Sequence, residues 1–232
     1  MTWIDRIALF STLDGAALAL LVIVWLGIGW RIELSTANHL STSQIMAGYR
    51  REWMRQMITR QPRIFDAQVV ASLRQGTAFF ASTSVIAIGG TLAVIGNADR
   101  VTAVANDLTL MDTPAFVWEI KLVVLVLFLT NAFLKFVWAN RLFGYAAVVM
   151  AAVPNDVSDS LCEPRAMQAA EVNVAAARSF NRGLRSVYFG LTCAAWLAGP
   201  VPLVIATLFT LGVIWRREFA SKSRDILLGT QT

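Results

Sequence analysis

Four long runs of apolar residues, nearly free of charge, constrain this chain more than any other feature of it. A helix rises about 1.5 Å per residue, so about 20 apolar residues cross the hydrocarbon of a bilayer. In oil a single segment satisfies its own backbone polar groups only as a helix. The runs cover residues 7–30, 76–96, 114–138 and 187–215. They predict an all-α integral membrane protein, a four-helix transmembrane bundle forming one membrane domain over residues 1–232. Composition agrees: 56% of residues are hydrophobic and 15% charged, against about 25% charged in soluble domains.

The first run carries Asp14 as its only charge, with Trp3, Trp25 and Trp30 where interfacial aromatics sit. Arg6 precedes it as in a secretory signal, but no small-residue cleavage pattern follows, so it reads as a retained span. The second lies between Arg74 and the polar Asn97, Asp99 and Arg100. Its Ala78, Ser82, Gly89, Ala93 and Gly96 share one helical face, a close-packing seam expected inside the bundle. The third opens on Pro114 after Asp112 and Thr113, with a possible helical continuation through Arg141 to Val153. The fourth contains Gly199, Pro200 and Pro202, which predict a kink or break. Its length favours one tilted, kinked span over a re-entrant hairpin.

Between the runs lie polar stretches with helical patterns, at residues 43–75 and 164–186. From Ser43 to Arg60, Met46, Tyr49, Trp53 and Met57 recur at helical spacing, which predicts an interfacial amphipathic helix. Pro62 ends it, and a new helix from near Arg63 feeds into the second span. Pro164 sits near the start of the other stretch, followed by Ala169, Ala170, Ala175, Ala176 and Ala177 on an alanine-rich face. Twelve Lys and Arg residues follow spans one and three, against Arg100 alone after span two. The positive-inside rule therefore makes both basic stretches cytoplasmic helical extensions and puts both termini outside. Arg216, Arg217, Lys222 and Arg224 in the tail oppose this, a conflict that a re-entrant fourth segment would remove.

Charged groups inside spans are the default functional candidates, because each costs about 2.5 to 3.5 kcal/mol at the bilayer centre. Asp14, Glu119 and Lys121 could form a structural ion cluster or, less simply, a solute or proton site. Lys121, Phe128, Asn131, Lys135 and Trp138 fall on one face of the third span, a polar stripe expected to face the bundle. On the basic side, Arg50, Arg51 and Arg55 suit anionic headgroups, while Arg63, Asp66, Arg141, Arg182 and Arg185 form a second group that meets headgroups or ties the extensions together. His39 has no partner at metal-ligand spacing, so no metal site is expected. Cys162 and Cys193 read as reduced and inert. No phosphate loop, nucleophile elbow or dinucleotide fingerprint is present, and nothing near Ser82 or Ser84 looks like a base. Neither a cofactor nor a nucleic-acid partner is implied.

Arg50, Trp53 and Met54, the Arg63-Ile-Phe-Asp66-Ala-Gln68 stretch and Phe79-Phe80-Ala81-Ser82-Thr83 resemble the membrane family called domain of unknown function 599. The likeness continues through Lys135-Phe-Val-Trp138 and Arg141, Asn181-Arg-Gly183-Leu-Arg185 with Tyr188 and Phe189, Trp196 with Gly199-Pro200, and Arg216-Arg-Glu218-Phe219 with Ser221. The resemblance implies a multispan membrane protein of a bacterial group with plant relatives, and no assigned activity or site residue. A bacterial inner-membrane location fits this.

Together these readings favour a non-enzymatic membrane protein acting as a homo-oligomer or as an accessory subunit of a membrane complex, with lipids as its other partners. A small-solute or ion transporter or channel is the first alternative, motivated by the polar stripe and the broken fourth segment. An anionic-lipid-binding protein is the second.

Overall fold

The computed structural model describes residues 9–34, 39–97 and 114–229. Among them the chain is all-α, with no strand. In chain order the helices are α1 (Thr12–Glu33), α2 (Thr42–Ile58), α3 (Ile64–Ile95), α4 (Ala115–Ala151), α5 (Cys162–Ala194), α6 (Pro200–Phe219) and α7 (Lys222–Leu228), with a 3-10 turn at Ala195–Ala198 between α5 and α6. Helices α1, α3 and α4 are long and apolar enough to cross a membrane, as expected of a membrane protein. The expected continuations are present: α3 runs unbroken from the polar stretch into the second apolar run, and α4 extends to Ala151. Trp3, Arg6, Ile7, Asp99, Arg100, Asp112 and Thr113 lie outside the described residues.

The chain divides into two compact units. The first comprises Met1–Trp30, Thr83–Ala132 and Leu184–Trp215. Its described core includes Leu21, Phe189 and Leu203, all fully buried, and Trp25 meets Phe128 edge-on at 5.0 Å. Gly190 lets α5 approach α4 closely, since a β-carbon there would stand 3.3 Å from the Phe128 Cβ.

Here the fourth apolar run departs from the expected single span. Thr192 and Thr210 share a hydrogen bond between their hydroxyls at 2.7 Å, whereas eighteen residues of one helix would separate them by about 27 Å. Residues 187–215 are therefore the end of α5, a turn, and α6 running back beside it. The cause is local. Gly199 takes φ 116°, which glycine tolerates and other residues resist. Pro200 then opens α6 at a position that needs no backbone N–H.

The second unit comprises Arg31–Ser82, Phe133–Gly183 and Arg216–Thr232, and holds sixteen of the 20 Lys and Arg residues. Within it α2 packs antiparallel along α5. Ser43 meets Asn181, Arg50 meets Asn173, and Met54 and Met57 share a core cluster with Ala166, Ala169 and Ala170. Positions 43, 50 and 57 step by heptads, the spacing that keeps one seam facing a partner helix. The alanines of α5 let the methionines of α2 sit against its backbone. Phe80, Phe136 and Phe180 form a ring cluster with centroids 5.4 to 5.6 Å apart.

Three sequence expectations about faces are corrected. On α2 the buried positions are Ile45, Met54 and Met57, while Met46 and Tyr49 are exposed; the arginines and methionines share the helix circumference more evenly than a two-sided pattern implies. On α3 the seam residues Ala78, Ser82, Gly89, Ala93 and Gly96 are all exposed, so the seam does not pack inside the chain. Ala175 likewise faces outward, unlike Ala169, Ala170 and Ala176.

Candidate functional site

In the first unit, polar groups converge on Trp196, at the turn between α5 and α6. The indole Nε1 donates to Asp14 Oδ1 at 2.7 Å, and the carbonyl of the same residue accepts from Lys121 Nζ at 2.9 Å. Lys121 also lies over the rings of Trp118 and Trp196, at 5.9 and 5.6 Å from their centroids. Helix ends explain both contacts. Lys121 adds a second donor to a carbonyl that already accepts from the Gly199 amide at 2.9 Å, in the turn that closes α5, where the helix dipole favours a cation. Asp14 belongs to a capping box. Its amide donates to Ser11 Oγ at 3.1 Å, and its Oδ2 accepts from the Ser11 amide at 3.1 Å and from the Ser11 hydroxyl at 2.6 Å.

Asp14 and Lys121 thus meet through Trp196 and form no direct ion pair. Glu119 joins neither; two residues from Lys121 on one helix, it points to a different face. Of the polar stripe on α4, Lys121 and Phe128 are buried, and Asn131 donates to Ser186 Oγ at 2.6 Å. Lys135 is half-buried, and its carbonyl accepts from Ser179 Oγ at 2.9 Å. Trp138 is exposed, so the stripe turns outward there. Arg185 is buried beside Gly29, whose added β-carbon would stand 3.7 Å from the Arg185 Nε.

In the second unit the basic residues separate into distinct contacts. Arg51 binds Glu171 through two bonds, Nε to Oε1 at 2.5 Å and Nη2 to Oε2 at 3.1 Å. That contact holds the Glu171 carboxyl below the usual range and raises the Arg51 guanidinium. Arg182 binds Glu33 in the same forked way, Nε to Oε1 at 2.8 Å and Nη2 to Oε2. Arg55 stays exposed with Glu52 at 3.7 Å. Arg141 donates to Tyr145 Oη at 2.7 Å.

Asp66 is fully buried. Its Oδ1 accepts from Trp53 Nε1 at 2.7 Å and from Arg60 Nη1. Arg63 donates to the carbonyls of Val153 at 2.6 Å and Pro154 at 2.7 Å, in the loop that follows α4. Of the group expected from Arg63, Asp66, Arg141, Arg182 and Arg185, the first three bond separate partners within the second unit. Arg50, like Arg63 and Arg141, binds no carboxylate among the described residues: its Nη1 donates to Asn173 Oδ1 and its guanidinium lies 5.9 Å from the Phe143 ring centre. Burial pushes its pKa down.

Among the described residues no group of His, Cys, Asp and Glu could hold a metal ion. His39 is exposed, and Cys162 and Cys193 are free and buried.

The family model described as protein of unknown function, DUF599, matches residues 16–223. The chain belongs to the DUF599 family. No curated protein and no solved structure matches it. In this DUF599 protein, stretches that carried the resemblance supply several of the contacts above: Trp53 and Asp66 bond each other, Asn181 reaches Ser43, and Trp196 joins Asp14 to Lys121. Glu218, from the same set, accepts from the amide and hydroxyl of Ser43 at 3.0 Å each, capping the start of α2. Sequence reasoning missed Asn173, Glu171, Glu33 and Glu218 as partners, since each lies more than a hundred positions from the residue it binds. The Ser11-Thr-Leu-Asp14 capping box was readable and passed over.

Proposed function

We propose that this protein is a non-enzymatic membrane subunit that assembles with copies of itself through the small-residue face of α3. One observation carries the reading. The seam of Ala78, Ser82, Gly89, Ala93 and Gly96 faces away from the chain's own helices, and an added β-carbon on Gly89 would meet nothing within 4 Å. Only 6% of the apolar window of α3 is buried, against 33% for α4. A face shaped for close backbone approach, and unused within the chain, suits an identical helix from a second copy.

Sidedness follows from the same reading. The end of α1 at Glu33, the start of α2 and the end of α6 at Glu218 are tied to one another through Gln44 and Ser43. With α6 returning beside α5, we place the tail arginines on the same cytoplasmic side as the basic stretches, and the positive-inside rule meets no exception there. The last part of α5 and the whole of α6 then cross in addition to α1, α3 and α4. Solute transport has less support, because Lys121 and Asn131, the side chains that motivated it, are engaged with Trp196 and Ser186.

Gentle extraction into lipid nanodiscs followed by native mass spectrometry tests the assembly. The wild type should appear as an oligomer of one chain, and Gly89→Leu with Ala93→Leu should shift it toward monomer while leaving the helical content unchanged. A wild type that is monomeric, or bound only to a foreign chain, overturns the proposal.

A further inference from the structure

Arg50 is half-buried in the second unit and has no acidic partner among the described residues. Its guanidinium bonds a neutral acceptor, Asn173 Oδ1, and rests against the Phe143 ring. Neighbouring Arg51 has taken Glu171, and Arg182 has taken Glu33, so these two carboxylates are already spent. An amide oxygen satisfies one N–H but does not neutralise a charge, and a buried ion left uncompensated is destabilising. The other half of the same amide supplies an independent observation: Asn173 is fully buried, and its Nδ2 has no hydrogen-bond partner. Such orphaned donors are rare and call for an acceptor.

A guanidinium and an amide NH2, held side by side on two helices, offer charge and several donors to one small oxyanion. We propose that Arg50 and Asn173 form a binding site for a phosphate group, carried by an anionic lipid headgroup or present as free phosphate. Forked N–H donors match phosphate oxygens, and basic notches between the cytoplasmic ends of membrane helices take anionic headgroups. This site is independent of self-association through α3.

The test uses the full chain in nanodiscs. One arm compares phosphatidylcholine alone with phosphatidylcholine containing phosphatidylglycerol; the other titrates inorganic phosphate into the phosphatidylcholine sample. Thermal unfolding is followed in both, and native mass spectrometry reports retained phosphatidylglycerol. The wild type should be stabilised in at least one arm: a response to phosphatidylglycerol alone identifies a lipid headgroup, and a response to inorganic phosphate identifies the free ion. Arg50→Gln should weaken the response about tenfold, the loss of roughly one charge-assisted hydrogen bond. Asn173→Asp guards against misfolding as an explanation, because its carboxylate supplies the missing charge in place; it should fold at least as stably as wild type and lose the anion response. A wild type unresponsive in both arms, or an Asn173→Asp chain that responds as the wild type does, overturns the proposal.

Discussion

Phe136 lies against the backbone of Gly183 so closely that a β-carbon there would fall 2.6 Å from its ring. Phe136 is fully buried and touches Phe80 and Phe180, so the ring has nowhere to retreat. Gly183→Ala should destabilise the protein by about 1 to 3 kcal/mol, as overpacking does in a filled core. Adding Phe136→Leu should recover part of the loss. Thermal unfolding in detergent of the two variants and the double variant measures this; equal stability of Gly183→Ala and wild type would contradict the contact.

Trp196 is held by its ring to Asp14 and by its carbonyl to Lys121. Asp14→Ala should cost about 1 to 3 kcal/mol, since it strands a buried indole N–H and removes a helix cap together. Trp196→Phe should lose less, because the ring stays and the Lys121 bond uses the backbone. In a double-mutant cycle the two changes should be strongly non-additive.

Acid should weaken the attachment of α2 to α5 through Glu171. Its carboxyl is held low by the Arg51 hydrogen bond. A depressed folded pKa contributes stability above the unfolded value and loses it as pH falls through the folded one. Unfolding midpoints of wild type and Glu171→Gln should therefore differ at neutral pH and converge below the ordinary carboxylate range. The gap should stay within about 1 kcal/mol, because both side chains are substantially exposed.

The hydrogen bonds from Ser43 to Glu218 tie the tail to the start of α2. Single-cysteine probes at Ser43 and Ser223 should be labelled from the same side of sealed vesicles by a membrane-impermeant thiol reagent. Opposite labelling would contradict the returning path of α6. Glu218→Ala should cost about 1 kcal/mol through the lost cap.

Much of this architecture was legible because the cost of exposing backbone to oil writes itself into sequence as uninterrupted apolar runs. The breaks at Pro62 and at Gly199-Pro200 were equally plain, since both residue types act on the backbone locally. The direction of the chain after Gly199 was not. A kinked span and a hairpin share one local signal, and only the Thr192–Thr210 contact separates them. The faces of α2 failed for a related reason. In a helix whose neighbours are alanines, burial is decided by where those alanines lie, so Met54 goes inside and Met46 does not. The basic residues were recognised as a group, but Arg51 with Glu171 and Arg182 with Glu33 are long-range pairings that no local spacing encodes.

Because one tryptophan separates Asp14 from Lys121, the two are not a reversible couple. An ordinary ion pair often survives exchange of its members, since attraction does not care which side is negative. Here the aspartate accepts from an N–H and the lysine donates to a C=O, so a chain carrying Asp14→Lys with Lys121→Asp would confront donor with donor and acceptor with acceptor. The polarity of this turn is written into its peptide geometry, and no permutation of the same charges can restore it.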